Sequence, residues 1–165
     1  MTKVDAMYSK FEAFEEQLAH CYFRLHEHFI ANPPLAKFWA EAAMDELQHS
    51  AILRFCRERG LTVTDFDIGR LTMERIDDLL DTAKDIVNDP EVTVDESFYA
   101  SLLMESSELD EIYEELTRGL AKDHLLLYQA IHAGLRAHFD SFADAALEFS
   151  GDKGLAEAFR AFGKK

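Results

Sequence analysis

The sixteen residues Glu41–Cys56 (EAAMDELQHSAILRFC) constrain this chain more than any other stretch. On a helix turning about 100° per residue, Leu35, Phe38, Trp39, Ala42, Leu53 and Cys56 share one face, with Glu46 and His49 in its middle. Helices keep carboxylates off their apolar stripes, because burying an unpaired charge costs several kcal/mol or more. Glu46 must therefore be compensated inside the fold by a cation, a proton or a metal ion. Glu-x-x-His sets a hard oxygen and an imidazole nitrogen one turn apart, which suits iron or manganese inside a four-helix bundle. The weight of the motif depends on whether other helices supply matching inward ligands.

Helix 1 is expected from Val4 to Ile30, with Met7, Phe11, Phe14, Leu18, Tyr22, Leu25 and Phe29 as a continuous apolar stripe. Glu15 lies close to that stripe, whereas Glu12 and Glu16 turn progressively outward. Asn32-Pro33-Pro34 stops this helix and starts the next, since proline is tolerated in a first helical turn. So short a connection makes helices 1 and 2 antiparallel neighbours. Glu15 is 17 residues before Asn32, and Glu46 and His49 are 14 and 17 after it, so the three meet at one depth. That agreement strengthens an inward reading of Glu15.

Helix 2 ends near Arg59-Gly60, and Leu61–Val94 forms a long connection holding one amphipathic segment, Met73–Val87. Helix 3 starts around Val94–Glu96, with Phe98, Leu102, Leu109, Ile112 and Leu116 on one face. Glu105 interrupts that face almost at its centre, while Glu108, Glu111, Glu114 and Glu115 lie at its edge or outside. Gly119 marks the next turn, and Asp123 is the expected N-cap of helix 4. Leu125, Tyr128, His132, Leu135, Phe139, Phe142 and Ala146 then face inward. His132 is about as far past the turn as Glu105 is before it, which favours His132 as a ligand, with His138 the second choice. Gly151–Lys165 reads as a short docking helix.

Acidic residues outnumber basic ones 32 to 17, for a formal net charge of −15 in 165 residues, which argues against nucleic acid or an anionic membrane as a partner. The chain suits one domain over residues 1–165, and with 7 Gly and 3 Pro, long helices are expected. No apolar run is long enough for a bilayer, and the N-terminus lacks a signal-peptide core, so a cytoplasmic protein is expected. Cys21 and Cys56 differ by ~16 Å in depth, too far for a disulfide, and read as buried free thiols. There is no Cys-x-x-Cys pair.

With Glu15, Leu18 and Tyr22 on helix 1 and Glu46 and His49 on helix 2, the chain resembles the rubrerythrin branch of the ferritin-like carboxylate-bridged di-iron proteins. The resemblance implies an all-α fold: a ferritin-like four-helix bundle with a long crossover between helices 2 and 3 carrying a short helix, plus a short C-terminal helix. It implies two iron ions, with manganese or zinc as alternatives. Glu46 would bridge them, His49 would bind one, Glu15 would be a terminal or bridging carboxylate, and Glu105 would bind from the second helix pair. Tyr22 and Tyr128 would lie near the metals and donate hydrogen bonds, with Tyr22 the catalytic candidate. Helix 4 departs from the family pattern: where a second Glu-x-x-His is expected, the chain has Gln129-Ala130-Ile131-His132.

The function so implied is a di-metal oxidoreductase that reduces peroxide or O₂ while ferrous iron is oxidised. It would need an external electron donor, and a homodimer is expected. The alternatives are a metal-holding or metal-sensing protein, and a metal-free helical interaction protein. With a neutral amide at Gln129, metal on the Glu15/Glu46/His49 side is expected to be held more firmly than metal on the Glu105/His132 side.

Overall fold

The computed structural model describes residues 3–63, 70–105, 112–113 and 115–163. Its helices are α1 (Lys3–His28), α2 (Pro33–Glu58), α3 (Arg70–Val87), α4 (Val94–Met104), the single turn α5 (Leu120–Asp123), α6 (Leu125–Ala145) and α7 (Lys153–Phe162). A π-helical turn, Ala146–Ser150, separates α6 from α7, and residues 112–113 and 115–117 are also helical. No strand occurs among the described residues, so the fold is an all-α bundle. No helix among them is long and apolar enough to cross a membrane.

Cross-helix contacts fix the directions. Glu12 meets Arg57, Glu16 meets Arg54, and His26 reaches the Ala36 carbonyl, so rising numbers on α1 pair with falling numbers on α2. The two are antiparallel, as the Pro33-Pro34 start of α2 requires. On α3, Asp77 meets Lys10 and Lys84 meets Gln17, so α3 runs parallel to α1. The long connection thus travels the length of the bundle before α4 begins. α4 then runs parallel to α2, with Phe98 against Phe38 and Trp39, and Glu105 at the level of Glu46. α6 runs back, placing His138 beside Asp45 and Phe142 against Phe38 and Trp39.

Local chemistry sets the ends. Gly60 takes a left-handed φ of +67° just past α2, and the Leu61 amide returns to the Cys56 carbonyl, closing a Schellman turn. Thr93 and Glu96 form a reciprocal capping box at the start of α4. Gly119 lies where a Cβ would stand 2.0 Å from the Leu61 carbonyl oxygen, so the chain there admits no side chain. The Tyr8 hydroxyl donates to the Leu116 carbonyl and accepts from the Val63 amide, tying α1 to both connections. α7 docks on the bundle, with fully buried Phe159 against Phe142 and Phe162 against Phe139.

Several boundaries differ from those expected. Helix 1 ends at His28, before Ile30. Helix 3 is not continuous through Leu116: α4 ends at Met104, and Glu105 is its C-cap. Leu109, Glu108, Glu111 and Glu114 lie outside the described residues. The N-cap of α6 is His124 rather than Asp123, and Leu125 is half exposed because it starts the helix beyond the packed layer. Cys21 and Cys56 are both free and buried.

Candidate metal centre

Four glutamates are buried among the described residues: Glu12, Glu15, Glu46 and Glu105. Glu12 was expected to turn outward, but it is buried because two α2 arginines cover it. Arg57 donates to both its oxygens at 2.7 and 3.1 Å, and Arg54 donates at 3.3 Å. The other three meet no lysine or arginine among the described residues. Their charged neighbours are two histidines and one another.

They form two groups that share Glu46. In the first, Glu15, Glu46 and His49 bring one ligand atom each to within 4.8 Å of one another. His49 Nδ1 lies 2.9 Å from Glu46 Oε2 and 3.8 Å from Glu15 Oε2. In the second, Glu46, Glu105 and His138 do the same. His138 Nε2 lies 3.4 Å from Glu46 Oε1 and 3.3 Å from Glu105 Oε1. Neither Glu46 Oε1 nor His138 Nε2 finds a hydrogen-bond partner, although both are buried. Two facing groups that each lack a partner suit an ion between them better than a direct bond. The other ring nitrogen of His138 is 3.2 Å from Asp45 Oδ2, which orients the ring. Tyr22 donates to Glu105 Oε1 at 2.5 Å.

Burial and neighbouring charges shift the protonation of these groups in opposite directions. Burial, with the charge of Glu105 second, pushes Glu46 up to about 8, against the opposing pull of His49. Burial alone would lower His49, but the Glu46 and Glu15 carboxylates outweigh it and lift the imidazole to about 10. His138 is likewise held well above the usual histidine range by Glu105, Asp45 and Glu46 against burial. Glu105 is lowered in spite of burial, because His138 and the Tyr22 hydroxyl favour its charged form. The shifts place protons on Glu46, His49 and His138 and favour the charged form of Glu105. A divalent ion would displace those protons, as metal binding at carboxylate and imidazole donors does. The donor set of hard oxygens with imidazole nitrogen fits iron, manganese or zinc.

The structure thus brings together Glu15, Glu46, His49 and Glu105, with Tyr22 bonded to the last. It does not bring Gln129 or His132 to them. Gln129 is exposed, and His132 is half-buried with its ring 4.2 Å from that of Tyr128. His138 takes the helix-4 position instead. The depth count from Gly119 assumed uninterrupted helices on both sides, but α4 ends at Met104 with Glu105 as its C-cap, and α5 intervenes before α6. Asp45 and Tyr113 were not anticipated either. The Tyr113 ring lies 4.8 Å from that of His49, tilted 45° to it, and nothing in its sequence position distinguishes it from an ordinary core aromatic.

Against family models, curated proteins and solved structures, the chain matches none. Its functional reading therefore stands on the geometry.

Proposed function

We propose that this protein is a ferritin-like, carboxylate-bridged di-metal protein that oxidises ferrous iron with peroxide or O₂. One observation carries the reading: three buried carboxylates with no arginine or lysine partner among the described residues surround two histidines, with Glu46 common to both groups. Glu15, Glu46 and His49 would hold one ion, and Glu46, Glu105 and His138 the other. The parallel α2 and α4, joined by a crossover that spans the bundle, support the ferritin-like layout. Two ferrous ions supply two electrons, enough with two protons to reduce hydrogen peroxide to water. The residues around them have separate tasks. Asp45 orients His138, and the Tyr22 hydroxyl keeps Glu105 ionised and aimed inward. The stacked Trp39 ring and the Phe142 ring close the Tyr22 side to water. Sustained turnover would draw on an external electron donor.

Metal analysis of protein purified without chelator, with anomalous scattering to locate the ions, tests the binding. Two ions per chain at these residues are expected. Stopped-flow oxidation of the ferrous form should consume one peroxide per two iron. A second reading, metal holding or sensing without turnover, is favoured by the tight cavity at the site, about 10 Å³. It predicts the same stoichiometry with no peroxide consumption. Protein devoid of metal under every loading condition would leave only a metal-free bundle.

A further inference from the structure

Three tyrosines are buried among the described residues, and two have clear hydrogen bonds. Tyr8 bonds Leu116 and Val63, and Tyr22 bonds Glu105. Tyr113, 2 % exposed, has a hydroxyl with no hydrogen-bond partner. Leaving a buried hydroxyl unmatched costs free energy, so such a group calls for an explanation. Its surroundings offer one. Tyr113 lines a small cavity together with Glu15, Glu46, His49 and Glu105, and the open space there is about 10 Å³. That is about one water-sized probe, enough for a single small ligand and too small for an organic substrate.

We propose that the Tyr113 hydroxyl donates a hydrogen bond to one small oxygen ligand (water, hydroxide or the near oxygen of a peroxide) held in this cavity beside Glu15, Glu46 and His49. For the identity of that ligand, the inference rests on the di-metal reading above. The remaining cavity walls explain the choice of ligand. Leu18, Met104 and Leu135 offer no donor, an ionised glutamate only accepts, and His49 Nδ1 is already engaged with Glu46. Tyr113 brings to this cavity a buried hydroxyl with no partner, a donor available to a ligand oxygen. The two tyrosines then divide the site. Tyr22 serves the Glu105 side by fixing a protein oxygen, and Tyr113 serves the Glu15 side by fixing a ligand oxygen.

Tyr113→Phe tests this, because it deletes the hydroxyl and keeps the ring against His49. In cobalt(II)-loaded protein, cobalt stoichiometry should be unchanged. The dissociation constant for fluoride, a one-atom acceptor followed by visible absorption, should rise about tenfold, as loss of a hydrogen bond to a charged group predicts. Unchanged fluoride affinity at full cobalt loading would overturn the proposal. So would loss of cobalt in the variant, or a strong phenolate-to-iron absorption band in the ferric wild type, since either makes Tyr113 a ligand. A crystal structure of the metal-free protein gives a readout independent of metal. An ordered water should accept from Tyr113 in the wild type and be missing from Tyr113→Phe, and a dry cavity in the wild type would sink the idea. If that water is present but the wild type takes up no cobalt, the di-metal reading fails while the cavity donor stands.

Discussion

Glu12 and Glu15 sit three residues apart on α1, both buried, and differ in what answers their charge. Glu12 is clamped by Arg57 and Arg54 of α2, the planar fork-to-carboxylate pairing of a structural ion pair. One turn further along, Glu15 faces His49, and behind it stand Glu46, His138 and Glu105. The same two helices thus neutralise a buried carboxylate with arginine in one layer and leave the next layer to histidine and protons. Arginine keeps its charge at every accessible pH, so the Glu12 layer is closed to further cations. Imidazolium and a protonated carboxyl can both be displaced by a metal. The difference separates a carboxylate that holds helices together from carboxylates that could take an ion.

Removing the shared group should have the largest effect. Glu46→Ala is expected to abolish metal uptake at both positions while the bundle stays folded, because it deletes a buried ionisable group along with its ligand atoms. Glu12→Gln is the matched control: metal content should be unchanged, and the melting temperature should fall by a few degrees as the arginine clamp is lost. Metal analysis with circular dichroism checks both. Metal loss in Glu12→Gln, or retention in Glu46→Ala, would erase the distinction between the layers.

The next effect is half as large. His138→Ala should lose about one of two ions, on the Glu105 side, and His132→Ala should lose none. Equal loss in both variants would mean that α6 lies in a different register.

The pH dependence of the metal-free protein is smaller and has a defined sign. Glu46, raised from 4.5 to about 8, and His49, raised from 6.5 to about 10, both bind protons more tightly folded than unfolded. Their stabilisation is complete below the unfolded values and is lost as pH rises, from about 4.5 to 8 for Glu46 and from about 6.5 to 10 for His49. The melting temperature of metal-free protein should therefore fall between pH 6 and pH 9, while metal affinity rises over the same range as protons leave the ligands. Calorimetry at several pH values measures the first and competition titration the second. A metal-free melting temperature that rises from pH 6 to pH 9 would contradict the proton-filled site.

The α1–α2 half of the site was legible because one tight turn fixes its register. Glu15, Glu46 and His49 could be placed by counting from Asn32, and the structure brings them together. The other half resisted counting. Glu105 was visible as a carboxylate on an apolar face, but its helix ends there, so a count through Gly119 pointed to His132. That is six residues, roughly 9 Å at helical rise, from His138. Glu12 was misplaced for a different reason. A glutamate at a stripe edge is solvated or buried according to whether arginines from the next helix reach over it, and no pattern within its own helix records that. The long crossover and the short last helix followed from breaker positions and amphipathic spacing.

The smallest expected effect is none, and it decides the register of α6. By family resemblance, Gln129 stands where a ligand glutamate belongs, so Gln129→Glu should complete the second half-site and tighten its ion. In the structure Gln129 is exposed and lies nine residues from His138 on one continuous helix, roughly 14 Å along its axis. A new carboxylate there stands in water, beyond the ~8 Å over which charges act at physiological ionic strength. It also cannot lend an oxygen to an ion held by Glu46 and Glu105. Metal stoichiometry and affinity of Gln129→Glu should match the wild type within twofold by competition titration. A clear gain would place the Gln129–His132 turn at the metals and remove His138 from them. An unchanged value would leave the ligands where the geometry sets them, with the α6 contribution coming from a histidine that Asp45 orients and no glutamate precedes.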